Sequence, residues 1–273
     1  MRSGWNPGRR NRHCGTKAHG HGQDNRMVVP MSWHRDSLYI EQLGPHVSLE
    51  RDIGTHRMRF LVQPSNRGYF YPCSIDDIVQ VLRHCKPEHL QYVDAVVLRQ
   101  PTRKQSVLVP VWGRAQWLYE TTTFSGSAIV LEAQSLAPYP WPANQGPEGQ
   151  RELQRLRRDG HPVERTRRNI ILHPTVASLR NTQLYRTLLH ELGHHVDYQR
   201  SSSEEWAGKT RSTKEDFAHR YADEAQAAIR ALGHIPFAPL QDREAMLTQG
   251  LDPAWFSPPD ASTDPEHMPS LAG

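Results

Sequence analysis

The segment that begins near Asn181 carries the strongest helical pattern in the chain. Its residues Leu184, Leu188, Leu192 and Val196 recur at intervals of four, so they lie along one face of an α-helix. An apolar stripe of this length has to be buried against other secondary structure. Any fold of this chain must therefore place this helix in its core.

The residues upstream of this helix predict a small sheet. Gly54 and Thr55 stand between two alternating runs and predict a tight hairpin turn. Ser74, with Asp77 three residues later, predicts the start of a helix that ends near Cys85. We therefore expect an α+β fold with a small, antiparallel or mixed sheet. The predicted strands are 48–53, 56–62, 94–98, 106–112, 116–120, 127–133 and 169–173.

Charge is unevenly distributed along the 273 residues. The net charge is +4 and the sequence pI is about 9.0, but residues 1–26 alone carry six Lys or Arg and one acid. The basic pI therefore belongs to a tail, and a nucleic-acid partner is not expected. Residues 251–273 contain four acids, five prolines and no Lys or Arg. We predict a disordered basic tail over 1–30, a folded domain with an N-terminal β extension over 31–250, and a disordered acidic, proline-rich tail over 251–273.

The cysteines and the apolar runs predict the compartment. Cys73 and Cys85 flank the short predicted helix, too far apart for a disulfide, and an odd number of cysteines fits a reducing environment. Apolar runs such as 107–112 are far shorter than the roughly 20 residues that span a bilayer. We expect a cytoplasmic protein without a membrane partner, and export by a non-classical route stays open.

Two histidines lie on another face of the predicted core helix. His190 and His194 are one turn apart, so both imidazoles project from the same side and can bind one metal ion, with Glu191 beside them. Neutral imidazoles suit Zn²⁺, and a carboxylate that does not bind the metal can take a proton from water. Gly193 destabilises a helix interior by about 1 kcal/mol, which indicates a packing or functional requirement. The pattern predicts one catalytic zinc ion and Glu191 as its general base.

A catalytic zinc site needs a third protein ligand. Arg200 occupies the position where the longer metzincin pattern requires histidine, so that pattern is excluded. Glu204 and Glu205 lie in a polar run that predicts a solvated loop. Glu215 begins a second predicted helix that ends at Gly233, and the intervening loop is long enough to reverse the chain.

Glu215 has one competing role, because it could form a capping box with Ser212. Thr213 and Asp216 can form the same device, which would leave Glu215 free. We therefore favour Glu215 as the third ligand.

The string His190-Glu191-Leu192-Gly193-His194, followed by Glu215-Asp216-Phe217-Ala218, resembles the gluzincin class of zincin metallopeptidases, in particular the catalytic domain of the anthrax lethal factor type. The resemblance covers roughly residues 169–232. It implies a zincin-like fold, in which a small mixed sheet packs on the HExxH helix and on a second helix that bears the third ligand. It also implies that His190, His194 and Glu215 bind zinc, that Glu191 is the general base, and that a protein or peptide substrate lies along a preceding edge strand.

The sequence departs from that family at two positions. His219 stands where gluzincins often carry a carboxylate that orients a zinc-bound histidine. Gly208 stands where lethal factor-type domains place an oxyanion-stabilising Tyr. The candidates for positioning a ligand or stabilising the transition state are then Asp197, Tyr198, His219 and Tyr221.

These patterns predict a zinc metallopeptidase that hydrolyses peptide bonds. Two alternatives stay open: a noncatalytic zinc-binding regulatory module, and a DNA-linked regulatory protease that acts on a transcription factor. The Arg-rich stretch 151–168 would supply docking for the latter, although interspersed acids favour a solvated face. We predict that the whole segment 137–168 is a long loop with one short exposed helix. The sequence carries no signal for the oligomeric state.

Overall fold

A computed structural model describes residues 43–102, 111–142, 146–167 and 169–259. These residues have a mixed α+β architecture, so the predicted α+β class is confirmed. The predicted basic tail, 1–30, lies outside the described residues, as does most of the predicted strand at 106–112.

The elements are labelled here in chain order. The main sheet contains β1 (Val47–Ile53), β2 (His56–Val62), β3 (Ala95–Arg99), β4 (Gly113–Glu120) and β5 (Ser125–Glu132), and a smaller sheet contains β6 (Tyr139–Trp141), β7 (Val163–Arg165) and β8 (Ile170–Leu172). The helices are α1 (Ile75–Leu82), α2 (Pro87–Leu90), α3 (Pro147–Arg158), α4 (Val176–Arg180), α5 (Leu188–Arg200), α6 (Ser203–Gly208), α7 (Arg211–Ala231) and α8 (Arg243–Thr248).

The main sheet is mixed, with strand order β1-β2-β3-β5-β4. β1 and β2 form the predicted antiparallel hairpin, and Gly54 takes a positive φ of 63° in its turn. β2, β3 and β5 are parallel to one another, and β4 runs antiparallel to β5. Among the described residues, β4 is therefore the edge strand on the side of β5.

Side chains of the central strands alternate between two faces of the main sheet. Val96 and Ile129 belong to the larger core cluster together with Leu192 of α5, whereas Val97 and Val130 belong to a cluster on the other face. The predicted apolar stripe is fully buried in this core, as expected. Its members, all 0% exposed, are Leu184, Leu188, Leu192 and Val196.

The core helix begins earlier than the sequence pattern predicts. It starts at Val176 rather than near Asn181, because Thr175 and Ser178 form a capping box. The Thr175 hydroxyl accepts the Ser178 N–H, which satisfies a backbone donor that the helix itself leaves unpaired. The leucine pattern alone does not predict that the helix starts at Val176, because α4 lies before Leu184, the first residue of the stripe.

A π-helical turn, Asn181–Thr187, joins α4 to α5. Within it, the Gln183 side-chain amide donates to the backbone carbonyls of Trp112 and Glu132, at 3.1 and 2.7 Å. Trp112 directly precedes β4, and Glu132 ends β5. This turn therefore attaches the core helix to the edge of the main sheet, just before the HExxH string.

Two glycines allow close approaches around the HExxH string. A Cβ at Gly113, the first residue of β4, would lie 2.7 Å from Thr187 Cγ2. A Cβ at Gly193 would lie 3.1 Å from both Ala218 Cα and Tyr221 Cβ of α7. Gly193 thus lets α5 and α7 pack closely, and this packing explains why glycine stands in a helix interior.

The start of α7 also differs from the predicted capping boxes. Thr210 is the N-cap, and its hydroxyl accepts the Thr213 N–H at 3.1 Å. The helix ends before Gly233, which has a φ of 73°, as predicted. Glu215 therefore lies in the second turn of α7 and has no capping role.

Residues 137–168 are more structured than predicted. The one predicted helix is present as α3, but the prediction of a long loop around it is wrong, because the segment also contains β6 and β7. Leu153 and Leu156 of α3 are buried against Ile170 and Leu172 of β8. Because the segment is rich in proline, the sequence pattern did not indicate that Leu153 and Leu156 are buried.

Three of the four arginines of α3, Arg151, Arg155 and Arg158, pair with acids of the same chain. Arg155 Nη1 lies 3.3 Å from Glu148 and 3.0 Å from Glu152. Arg158 lies 3.6 Å from Asp223 of α7. Such self-paired charges are typical of a solvated helix face.

Residues 251–256, which were predicted to belong to the acidic tail, are part of the fold. Leu251 and Phe256 are each 2% exposed and belong to the larger core cluster, and Pro253–Phe256 forms a 3₁₀ turn. The interpretation of 251–273 as a solvated extension is therefore wrong for 251–256, because burial of these apolar side chains outweighs the local proline content. Residues 260–273 lie outside the described part of the chain.

Cys73 and Cys85 are both buried and free, as the predicted spacing requires. They flank α1 and its following turn. Within the described residues, we find no helix with the length and apolar character needed to cross a bilayer.

Replacing Gly193 tests the close packing of α5 and α7. We expect Gly193→Val to lower the free energy of unfolding by about 2 kcal/mol, because its methyl groups would press on the α7 backbone. The measurement is urea unfolding monitored by circular dichroism. The matched control is Gly208→Ala, where an added Cβ meets nothing within 4 Å and should stabilise the protein by up to about 1 kcal/mol. Equal effects of the two substitutions would contradict the packing argument.

His161 makes the fold sensitive to acid. It is 3% exposed, and burial, followed by the charge of Arg186, lowers its pKa to about 4. In the unfolded chain a histidine titrates near 6.5, so below that pH the unfolded state binds more protons than the folded state. Stability is therefore lost as the pH falls from about 6.5 toward 4, by about 2–3 kcal/mol for this group at pH 4.5.

Urea unfolding at pH 7.5, 6.0 and 4.5 measures this loss, with a chelator present so that metal binding does not contribute. In His161→Gln the loss of stability between pH 6.0 and 4.5 should be smaller than in the wild type. His173→Gln is the control, because the His173 side chain is 40% exposed. An unchanged pH dependence in His161→Gln would assign the acid sensitivity to other groups.

Candidate metal centre

α5 brings the two histidines of the HExxH string together. The Nε2 atoms of His190 and His194 lie 3.1 Å apart, and their ring planes are nearly perpendicular, at 85°. Only 13% of each side chain is exposed. Both imidazoles thus project from the same side of the helix, as the one-turn spacing predicts.

α7 brings Glu215 to the same point. Its Oε2 atom lies 3.4 Å from His190 Nε2 and 3.7 Å from His194 Nε2. Of the rival third ligands, Glu204 and Glu205 lie on α6, which is a short exposed helix rather than the predicted loop. The Glu205 carboxylate accepts the Ser202 N–H in the capping box of that helix.

We call the three atoms His190 Nε2, His194 Nε2 and Glu215 Oε2 the ligand triangle. Its sides are 3.1, 3.4 and 3.7 Å. A tetrahedral Zn²⁺ with bonds of 2.0–2.1 Å separates its ligand atoms by about 3.3–3.4 Å. The triangle therefore has the size of one face of such a site, and two imidazoles with one carboxylate form a donor set that catalytic zinc uses. The residues present fit a zinc ion.

The charges around the triangle also favour a cation. Interactions with His190 and His194 hold the pKa of Glu215 far below its usual value. Burial lowers the pKa of His194, but Glu215, Glu191 and Asp197 outweigh burial, so the pKa is raised overall. The negative groups therefore stabilise positive charge at the imidazoles, carried either by protons or by a metal ion.

Glu191 lies beside the triangle, on the side of the main sheet. Its ligand oxygen lies within 4.8 Å of the ligand atoms of His190 and His194, and the residue is 7% exposed. The backbone N–H of Ala115 in β4 approaches its carboxylate and lowers its pKa. Burial raises its pKa, while the two histidines oppose the rise. A buried carboxylate with a raised pKa is suited to accept and return a proton.

His219 flanks a different edge of the triangle. Its ligand atom lies within 4.8 Å of those of His190 and Glu215, and its ring centroid is 4.3 Å from that of His190. Burial, followed by the charges of His190 and Arg155, lowers the pKa of His219 to about 3. The ring is therefore neutral at neutral pH.

The polar ends of Asp197 and Tyr221, two further predicted site residues, contact other partners. Asp197 Oδ1 accepts a hydrogen bond from Lys209 Nζ at 2.6 Å. The Tyr221 hydroxyl lies 2.8 Å from His89 Nδ1. Because His89 Nε2 accepts from Arg200, its Nδ1 carries the proton and donates to Tyr221. The structure does not bring either group to the ligand triangle.

Several contacts that hold the site in place were missed from the sequence. They are the approach of the Ala115 N–H to Glu191 and the hydrogen bonds of Lys209 to Asp197 and of Gln183 to the sheet edge. Most join elements far apart in the chain, so no local pattern signals them. Only the predicted strand at 116–120 pointed near Ala115, and β4 begins earlier, at Gly113.

No protein-family model, no curated protein and no solved structure matches this chain. The interpretation of the site therefore rests on its residues and their geometry. The gluzincin resemblance stays a prediction from the two motifs.

We predict that the purified chain binds one zinc ion per molecule at the ligand triangle. His190→Ala and Glu215→Ala should each weaken zinc binding by about 100-fold or more, because each removes one of three ligands. Elemental analysis after dialysis gives the stoichiometry, and competition with a chelator gives the affinity. Glu204→Ala is the control and should keep full zinc affinity, since Glu204 lies on exposed α6. Undiminished zinc in Glu215→Ala would remove the third ligand.

Proposed function

We propose that this protein is a zinc-dependent metallopeptidase of zincin-like fold. His190, His194 and Glu215 would hold the ion, and Glu191 would act as the general base. The observation that supports this most directly is the ligand triangle with Glu191 beside it. Three protein ligands leave a further position for water or substrate, as catalytic zinc sites require. When bound, zinc polarises the scissile carbonyl and lowers the pKa of water.

Glu191 has the surroundings that a general base needs. Burial raises the pKa of its carboxyl group, and the nearby imidazoles keep that rise limited. Glu191 takes a proton from the attacking water and later gives it to the leaving amine, so the carboxylate is regenerated in each cycle. The backbone N–H of Ala115 lies near the carboxylate and stabilises its charged form.

β4 offers a binding place for an extended peptide. It pairs with β5 on one side, and no described strand pairs with its other side. Backbone groups of such an edge can add a further strand. Because Ala115 of β4 contacts Glu191, a peptide paired with β4 would pass close to the base and the ligand triangle. Proteins or peptides are therefore the proposed substrate class.

We also propose a cytoplasmic location and no nucleic-acid partner. The two described cysteines are free and buried, which suits a reducing compartment. The α3 arginines Arg151, Arg155 and Arg158 pair with acids of the same chain, which favours a solvated face over a docking surface for DNA.

A noncatalytic zinc-binding module is the second candidate function. The observation that favours it is Gly208, which ends α6. Gly208 has no side chain at the position where lethal factor-type domains place their oxyanion-stabilising Tyr. A site without a donor for the developing oxyanion would bind zinc and hydrolyse peptides poorly.

Replacing Glu191 separates these functions. We expect Glu191→Gln to lower kcat by about 10²–10⁴-fold, because the amide cannot accept the proton of water. Zinc content should stay at the wild-type level, since Glu191 is not proposed as a ligand. The measurement is hydrolysis of a fluorogenic peptide library by zinc-loaded protein, with zinc determined on the same samples.

Glu164→Gln is the control for this experiment. Glu164 is exposed and lies 3.0 Å from His173 Nε2, on the smaller sheet, so the variant should retain full activity. Full activity of Glu191→Gln would show that the mechanism is wrong. A wild-type protein that binds one zinc ion and cleaves no library member would favour the noncatalytic module.

A further inference from the structure

The proposed site still needs a donor for the negative charge that develops on the carbonyl oxygen. The sequence offers three ring side chains for this role. The Tyr221 hydroxyl is hydrogen-bonded to His89. The Tyr198 ring stacks on Trp117, with ring centroids 4.7 Å apart. Of these three, the structure brings His219 to the ligand triangle.

His219 and Glu191 approach the triangle from different edges. His219 lies one helical turn after Glu215 on α7, so the two side chains project from the same face. Its ligand atom clusters with those of His190 and Glu215, whereas that of Glu191 clusters with His190 and His194. A group bound at the open position would therefore have a carboxylate on one side and an imidazole on another.

This arrangement matches the charge changes of peptide hydrolysis. As Glu191 takes the proton of the attacking water, negative charge moves onto the oxygen of the scissile carbonyl. That oxygen is best placed away from the carboxylate and beside a hydrogen-bond donor. An imidazole ring carries at least one N–H donor in either protonation state.

We propose that His219 is a catalytic residue that donates a hydrogen bond from its ring N–H to the carbonyl oxygen of the scissile peptide bond. The bond would strengthen as water attacks the carbonyl carbon, because the charge on the oxygen grows. This inference rests on the proposed peptidase function. His219 would then supply the hydrogen-bond donor that Gly208, which has no side chain, cannot supply.

The competing role for His219 is a fourth protein ligand. That role would fill the position that a hydrolytic zinc site keeps open. The two roles differ in what they do to metal binding. Loss of a ligand weakens zinc binding, whereas loss of a donor to the substrate leaves zinc binding unchanged.

The first test compares zinc-loaded wild type, His219→Ala and His219→Gln on the peptide that the wild type cleaves best. For His219→Ala we expect kcat to fall about 10²–10³-fold with KM within about threefold, since the bond forms mainly in the transition state. His219→Gln keeps an N–H donor and should recover about tenfold of this loss. The zinc dissociation constant of both variants should stay within about threefold of wild type.

The second test does not depend on turnover. In Co²⁺-substituted protein, the visible spectrum reports binding of an N-phosphoryl dipeptide. Its anionic tetrahedral phosphoryl group imitates the tetrahedral transition state that forms when water attacks the carbonyl carbon. Its affinity should fall about 10²-fold in His219→Ala, while the affinity for imidazole, a neutral metal-binding probe, should stay within about threefold. Tyr221→Phe is the matched control on the same helix and should leave both affinities unchanged.

Two outcomes would overturn the proposal for His219. One is a zinc affinity more than tenfold weaker in His219→Ala, with a changed Co²⁺ spectrum before any probe is added, which would make it a ligand. The other is an unchanged affinity for the phosphoryl probe. If the wild type cleaves no peptide, the proposed function fails, and the probe experiment still decides whether His219 donates to a bound anion.

Discussion

The close approach of α5 and α7 at Gly193 is the contact on which the candidate site depends. Because a Cβ at this position would press on Ala218 and Tyr221, the two helix backbones nearly touch. That proximity lets the histidines of α5 meet Glu215 within 3.7 Å. The distance between packed helix axes depends on the side chains at the contact, so a glycine there permits a close approach. The dimensions of the ligand triangle thus follow from the packing of two helix backbones. Sites built on packed helices are held more precisely than sites on loops.

The edge of the main sheet fixes the remaining side of the site. Gln183 binds carbonyls at the start of β4 and the end of β5, and Gly113 lets β4 approach the core helix. This approach brings the backbone N–H of Ala115 near Glu191. The strand that is proposed to bind the peptide therefore also lies beside the proposed general base, Glu191.

The sequence predicted those parts of the fold that have a local signal. The helical spacing of His190 and His194, the second helix with Glu215, and the Gly54 hairpin could all be read from short patterns. The strands of segment 137–168 could not be predicted in this way. Its prolines favoured a loop, and the burial of its two leucines, Leu153 and Leu156, depends on contacts with β8. Long-range partners such as Lys209 for Asp197 also had no local signal. Spacing on one helix is fixed by geometry, whereas pairing between helices depends on the whole fold.

The stretch from the π-helical turn to Asp197 breaks several rules of stable helix design. It contains a π-helical turn, which often occurs at functional sites, and a glycine in a helix interior. It also buries Glu191 and leaves His190 Nδ1 buried without a hydrogen-bond partner among the described residues. The packing of α5 against α7 accounts for the glycine, whereas the buried carboxylate and the unpaired imidazole nitrogen lower the stability of the fold. Proteins concentrate such departures at functional sites, so the energetics of this helix point to the same residues as the HExxH string, by a separate line of argument.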